Sequence, residues 1–169
     1  EAFAEGQKLT FEEIRLKSGE LRLRLENDIQ LDFSGATEAR FHSMMKLELF
    51  NGKLTADVGE RGKGFTVLSS ESEIVDLGTR FGVDTSQSGS TDVVVFEGSV
   101  KVRSLLEERK SEWQSLSTGD ALRIKRKAYQ RLSRVRLAEQ KRSWSAVKID
   151  EDDVILEATD NVSEAQFYQ

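Results

Sequence analysis

The chain has 169 residues, 37% hydrophobic and 33% charged, with 25 Lys and Arg against 30 Asp and Glu, one histidine, and neither cysteine nor proline. That length suits one domain plus appendages, and the composition excludes disulfides, thiolate metal sites, cysteine nucleophiles, His-pair zinc sites and most histidine-dependent triads. No run of about 18 apolar residues reads as a transmembrane helix, and no signal-peptide pattern opens the sequence.

Near the start, Thr10 with Glu13 three residues on offers a helix cap, while residues 14–16 equally begin a strand. From about residue 20 to residue 124, apolar residues recur at every second position in bursts of about five, the pattern of half-buried strands. Leu21, Leu23 and Leu25 alternate with Arg22, Arg24 and Glu26, and Ile29, Leu31 and Phe33 repeat the pattern after the turn-prone pair Asn27 and Asp28. Further bursts fall at 47–50, 53–58, 65–68, 73–77, 81–84, 92–96, 99–103, 113–116 and 120–124. Asn51-Gly52 suits a two-residue hairpin turn that would set Leu49 against Leu54 and Leu47 against Ala56. Glu97-Gly98 would likewise set Val95 against Val100 and Val93 against Val102, leaving Val94, Phe96, Lys101 and Arg103 on the other side. The same alternation also fits successive solenoid rungs with Gly or Asn at the corners, so a β-solenoid and a β-sandwich both remain open.

Past residue 120 the charges separate. Arg123, Lys125, Arg126, Lys127, Arg131, Arg134, Arg136, Lys141 and Arg142 form a basic run, and Asp150, Glu151, Asp152, Asp153, Glu157, Asp160 and Glu164 an acidic one. The simplest partner for one block is the other; nucleic acid is disfavoured because no stacking platform or recognition fold accompanies the basic run. Residues 127–147 fit either a helix or a basic strand pair. The carboxylates lie in polar settings that suggest no chemistry, Asp150, Asp152 and Glu157 lack the glycine and the final Glu of a calcium loop, and Gly59, Gly62 and Gly64 read as a loop between strands rather than a phosphate cradle. His42 reads as a packed or surface histidine. Trp113 and Trp144 read as core residues, with an exposed sugar or partner platform as the alternative.

In order, Leu47 to Val58 with Gly52, Gly64 to Val67, the string Leu77-Gly78-Thr79-Arg80-Phe81, the string Glu97-Gly98 leading into Ser99 to Val102, and Gly119 resemble the FecR family over roughly residues 15–125. The resemblance is to the extracytoplasmic domain of membrane-anchored regulators of sigma factors, and it implies a β-solenoid-like fold and regulation by protein contact. Family members carry a cytoplasmic anti-sigma segment and a transmembrane helix that this sequence does not show. Transporter-coupled members also carry a small signalling-receptor domain where only 50 residues follow Gly119 here; other members continue into a carbohydrate-binding sandwich, which an acidic tail without a stop signal fits.

Beside the resemblance, Gly78 suggests a bend or close backbone approach, Phe81 a core anchor sharing a face with Thr79 and Val83, and Arg80 with Glu97 a pair that could bridge. The sequence therefore leads to an all-β domain, β-solenoid-like or an elongated β-sandwich, at 15–126, with a lead-in at 1–14. A charged extension at 127–169 could contain a helix and form a junction to a further domain. The expected function is an extracytoplasmic or periplasmic signal-transducing binding domain without enzymatic activity or cofactor. Its expected partner is an envelope protein, either a transporter signalling domain or further domains of its own chain, with the membrane reached only through another segment. A carbohydrate- or cell-wall-binding module, with a polysaccharide partner, is the alternative.

Overall fold

The structure is a computed structural model that describes residues 8–10, 12–85, 89–105, 112–125, 128–131, 154–157 and 164–167. In chain order its strands are β1 (Lys8–Thr10), β2 (Glu13–Leu16), β3 (Glu20–Leu25), β4 (Gln30–Ser43), β5 (Lys46–Asp57), β6 (Thr66–Leu68), β7 (Ser72–Asp76), β8 (Arg80–Asp84), β9 (Thr91–Glu97), β10 (Ser99–Ser104), β11 (Gln114–Ser117), β12 (Ala121–Lys125), β13 (Ala128–Arg131), β14 (Val154–Glu157) and β15 (Glu164–Phe167). One 3-10 turn, Glu60–Gly62, lies between β5 and β6. The all-β expectation holds, and β1 forms where the Thr10 helix cap was one reading. The helix reading of 127–147 lies outside the described residues apart from β13, as do Trp144 and Asp150 to Asp153.

All the described strands join one hydrogen-bonded network, and its pairings divide it into two layers joined by the long strands β4 and β5. The first layer runs β14, β2, residues 37–43 of β4, residues 46–50 of β5, β6, β7, β10, β11. The second runs β1, β15, β3, residues 30–34 of β4, residues 53–57 of β5, β8, β9, β12, β13. Alternation supplies the core between them: Ile14, Phe41, Leu47, Leu49, Val67, Ile74, Val100, Val102 and Leu116 from one layer meet Leu21, Leu23, Leu31, Phe33, Leu54, Phe81, Val83, Val93, Val95 and Ile124 from the other in one buried cluster. The result is sandwich-like in packing and solenoid-like in the way the chain winds from layer to layer at corners.

Two expected hairpins are corrected. Asn51-Gly52 lies inside continuous β5, where Leu49 faces Ala39 and Leu54 faces Phe33 instead of each other. Glu97-Gly98 joins strands that never pair: β9 lies between β8 and β12, and β10 between β7 and β11. A type I′ turn needs positive φ at both central residues, but here only the glycines have it, Gly52 at +109° and Gly98 at +84°. One such residue turns the chain from one layer into the other. The Asn27-Asp28 turn does form a hairpin, with Asp28 at φ +67° and its N–H donating to Leu25 O at 3.0 Å.

The 37–43 half of β4 was not legible as a strand, because only Thr37, Ala39 and Phe41 point inward and Thr37 and Ala39 carry little apolar signal. Where β4 and β5 bend together, the backbones crowd: a Cβ on Gly52 would stand 2.3 Å from Thr37 Oγ1 and 2.8 Å from Ala36 O. The Asn51 side-chain amide fixes the same bend by donating to Ala36 O at 3.0 Å.

Candidate functional site

Apart from Gly52, the motif residues gather at one end of the sandwich, where the chain passes three times between layers: β7 to β8 through Leu77, Gly78 and Thr79, β9 to β10 through Gly98, and β11 to β12 through Thr118 and Gly119. Ser99 opposite Ser117 and Val100 opposite Asp76 hold β10 between its neighbours, so the three corners lie side by side. Gly98 is the tightest point, since a Cβ there would meet Gly78 O at 2.6 Å and Thr79 Cα at 3.2 Å.

Polar groups stitch the corners. The Thr79 hydroxyl, on a residue only 3% exposed, donates to Ser99 O at 2.5 Å and accepts from Ser99 N–H at 3.2 Å. Leu77 N–H also reaches Ser99 O, at 3.2 Å, and Val58 N–H donates to Thr79 O at 2.9 Å. On the next corner, Gly98 N–H donates to Thr118 Oγ1 at 2.9 Å, and Thr118 N–H returns to Gly98 O at 3.0 Å. Gly119 N–H donates to Val95 O at 2.9 Å, which ties the third corner to the second layer.

Asp76 stands beneath this arrangement, and sequence reasoning passed over it. It is fully buried; its Oδ2 accepts the Gly78 N–H at 2.7 Å, and its Oδ1 has no hydrogen-bond partner. Burial pushes the carboxyl above its ordinary 3.8, opposed by the Gly78 N–H, by Thr79 and by the charge of Lys63. The available signal was an Asp two residues before a glycine, where its side chain can accept that residue's N–H in an Asx turn. Such a group fixes Gly78 at a known orientation before the chain enters β8.

The motif residues divide into inside and outside. Phe81 is fully buried, as expected of a core anchor, and Thr79 shares its buried side. Arg80 and Glu97 stand opposite each other in register, at an irregularity between β8 and β9. Both are exposed, and among the described residues they form no ion pair; the Arg80 guanidinium instead lies 5.8 Å from the Phe96 ring centroid. Gly52 belongs to the opposite end of the sandwich, at the bend of β4 and β5. The core reading of Trp113 is corrected: it is 40% exposed, and the Arg103 guanidinium stacks 4.6 Å from its ring centroid. His42 is a surface residue whose Nε2 lies 2.8 Å from Glu48 Oε2.

The second layer has its own polar row on the outer face. Lys53, Asp84, Asp92 and Arg123 are successive register partners across β5, β8, β9 and β12. Arg123 grips Asp92 with two bonds of 2.6 Å, a bidentate geometry that locks β12 to β9. Among the described residues no group of three or more His, Cys, Asp or Glu side chains could hold a metal ion, and no helix is long and apolar enough to cross a membrane.

The buried corner network, the polar outer faces and the two-layer core define a two-layer all-β domain. The family described as FecR protein matches residues 12–101, and the chain belongs to that family. Two solved structures of candidate anti-sigma factors from Parabacteroides distasonis ATCC 8503 share the fold. One has a TM-score of 0.56 at 20% identity over 71% of this chain, the other 0.54 at 17% over 75%. The chain spans 57% and 58% of those two proteins. Comparison with curated proteins finds no match.

Proposed function

We propose that this chain is the extracytoplasmic, signal-transducing β domain of a sigma-factor regulator, and that it acts by binding a protein partner rather than by catalysis. The observation that carries the reading is the FecR match over residues 12–101, which covers β2 to β9 and all the motif residues of the first two side-by-side corners. Residues at those corners are held by backbone bonds and by close packing of glycine against backbone, an arrangement suited to transmitting force between layers and poorly suited to turnover. The family's regulatory role and the anti-sigma description of the two similar structures support the same reading. An envelope protein, a transporter signalling domain or a further domain of the same protein, is its partner.

The carbohydrate-binding reading needs exposed aromatics such as Trp113 to form a flat platform. Among the described residues the exposed large apolar side chains are Phe50, Leu105 and Trp113. Phe50 on β5 is separated from Trp113 by β6, β7 and β10. Among the described residues, therefore, no two exposed rings share a platform, which favours the protein-binding reading.

The test is a pull-down from the envelope fraction, with residues 1–169 as bait beside a bait ending near residue 126. The expected result is retention of one identified envelope protein, and its loss from the shorter bait would place the contact on the charged extension. Retention of polysaccharide with no protein by either bait would overturn the reading.

A further inference from the structure

Among the described residues, the β11 edge of the first layer carries no further strand. β11 pairs with β10 and, among the described residues, has no strand on its other side. Which backbone groups face outward follows from its end. Thr118 N–H donates to Gly98 O, so residues 118, 116 and 114 turn their N–H and C=O toward β10, and residues 117, 115 and 113 turn theirs away. Ser117 is already occupied, because its N–H donates to Asp120 Oδ2 at 2.9 Å and its carbonyl accepts the Asp120 N–H at 2.8 Å. Ser115 and Trp113 are left with outward groups to offer.

Natural edges are usually closed by charge, proline or a bulge, and β11, with Gln114, Ser115, Leu116 and Ser117, has neither a charge nor a proline. The outer face beside it is equipped for recognition. Lys101 is directly opposite Ser115, is exposed, and has no carboxylate partner among the described residues. The short Ser115 side chain leaves its ammonium room to reach across the edge. The Trp113 ring is stacked on Arg103, whose Nε is fixed by Glu73 at 2.6 Å, and Leu105, 45% exposed, lies just past the same end of β10.

We propose that β11 is the docking edge for an extended acidic segment of a partner protein. The segment adds antiparallel through the outward groups of Ser115 and Trp113. It sets a carboxylate beside Ser115 within reach of Lys101 and, two residues toward its own C-terminus, an apolar side chain on Trp113. A second copy of β11 is the poorer occupant, because it brings a serine rather than a carboxylate to Lys101. The inference rests on the reading of the domain as a protein-binding regulator and names the surface that does the binding.

The probe is a labelled synthetic peptide of about eight residues, a common strand length, alternating Thr and Val with one Glu and, two residues later, a Leu. It is titrated against the full chain by fluorescence anisotropy. Ser115→Pro removes one outward N–H and leaves the β10 ladder intact, which amide protection at Val100 and Val102 verifies; affinity should fall about tenfold, the worth of one or two such bonds. Lys101→Glu should weaken the Glu peptide and favour its Glu-to-Lys counterpart, and Trp113→Ala should weaken both. Equal affinity for wild type and Ser115→Pro, no binding to wild type at millimolar peptide, or a peptide-free dimer abolished by Ser115→Pro would each overturn the proposal. The regulatory reading fails separately, if deleting the domain leaves sigma-dependent transcription unchanged whatever the peptide does.

Discussion

Replacing Gly98 with alanine tests whether the corners are held by contact or only by local backbone preference. Two costs add at that position. An L-residue at φ +84° bears a left-handed penalty of about 1–2 kcal/mol, and the new Cβ would stand 2.6 Å from Gly78 O and 3.2 Å from Thr79 Cα, against backbone atoms rather than a side chain that can swing away. Overpacking of that kind costs about 1–3 kcal/mol, so Gly98→Ala should lose about 3 kcal/mol, a large share of the roughly 5–15 kcal/mol that holds a domain. Gly119→Ala is the internal control: its φ is +89° but nothing lies within 4 Å of the added methyl, so only the backbone term applies. At roughly 2–4 °C per kcal/mol for a chain of this size, Gly98→Ala should lower Tm by about 6–12 °C and Gly119→Ala by about half that or less. Thermal melts followed by circular dichroism, with urea midpoints as a second measure, give both numbers. Equal losses in the two variants would refute the packing of the second corner on the first.

Three other outcomes follow from the same geometry. Phe81→Ala, which empties a fully buried position between the layers, should cost about 3–5 kcal/mol by denaturant unfolding. Arg80→Ala and Glu97→Ala, register partners that form no ion pair, should be additive within about 0.5 kcal/mol in a double-mutant cycle, whereas Asp92→Ala with Arg123→Ala should show a coupling of about 1–3 kcal/mol for the lost bidentate pair. Asp76 sets a pH dependence of definite sign. Its folded pKa lies above the unfolded 3.8, so its contribution to stability is full below 3.8 and is lost as pH rises through the folded value; Asp76→Asn should therefore compare more favourably with wild type at pH 7 than at pH 4 in urea midpoints, and the reverse order would contradict the burial argument.

Most strands were legible, residues 37–43 of β4 excepted, and beyond the Asn27-Asp28 hairpin their partners were not. Alternation at Leu21, Leu23 and Leu25, or at Val93 and Val95, reflects which side of one strand is buried, and that is a local property. A glycine with positive φ is equally local, but its sequence context does not say whether the next strand returns in the same layer or crosses to the other. For Gly52 and Gly98 the crossing is set by distant backbone, Ala36 with Thr37 and Gly78 with Thr79, so local pattern did not separate a hairpin turn from a solenoid corner at either glycine. The site was half legible for the same reason. Leu77 to Phe81 and Glu97 to Gly98 stand out as strings, yet what joins them is Ser99 bonded to Thr79 and Thr118 bonded to Gly98, pairings between residues 20 apart. Trp113 was misplaced because an aromatic next to a strand carries the same signal whether it faces the core or lies outside on an arginine.

The regulatory account is tested most directly by the transcript profile of cells whose genomic copy lacks residues 12–125, compared with intact cells. The account predicts a change concentrated in genes served by one alternative sigma factor, reversed when the intact protein is restored. Unchanged transcripts from every such promoter class, in cells that have lost binding of an envelope polysaccharide, would contradict it.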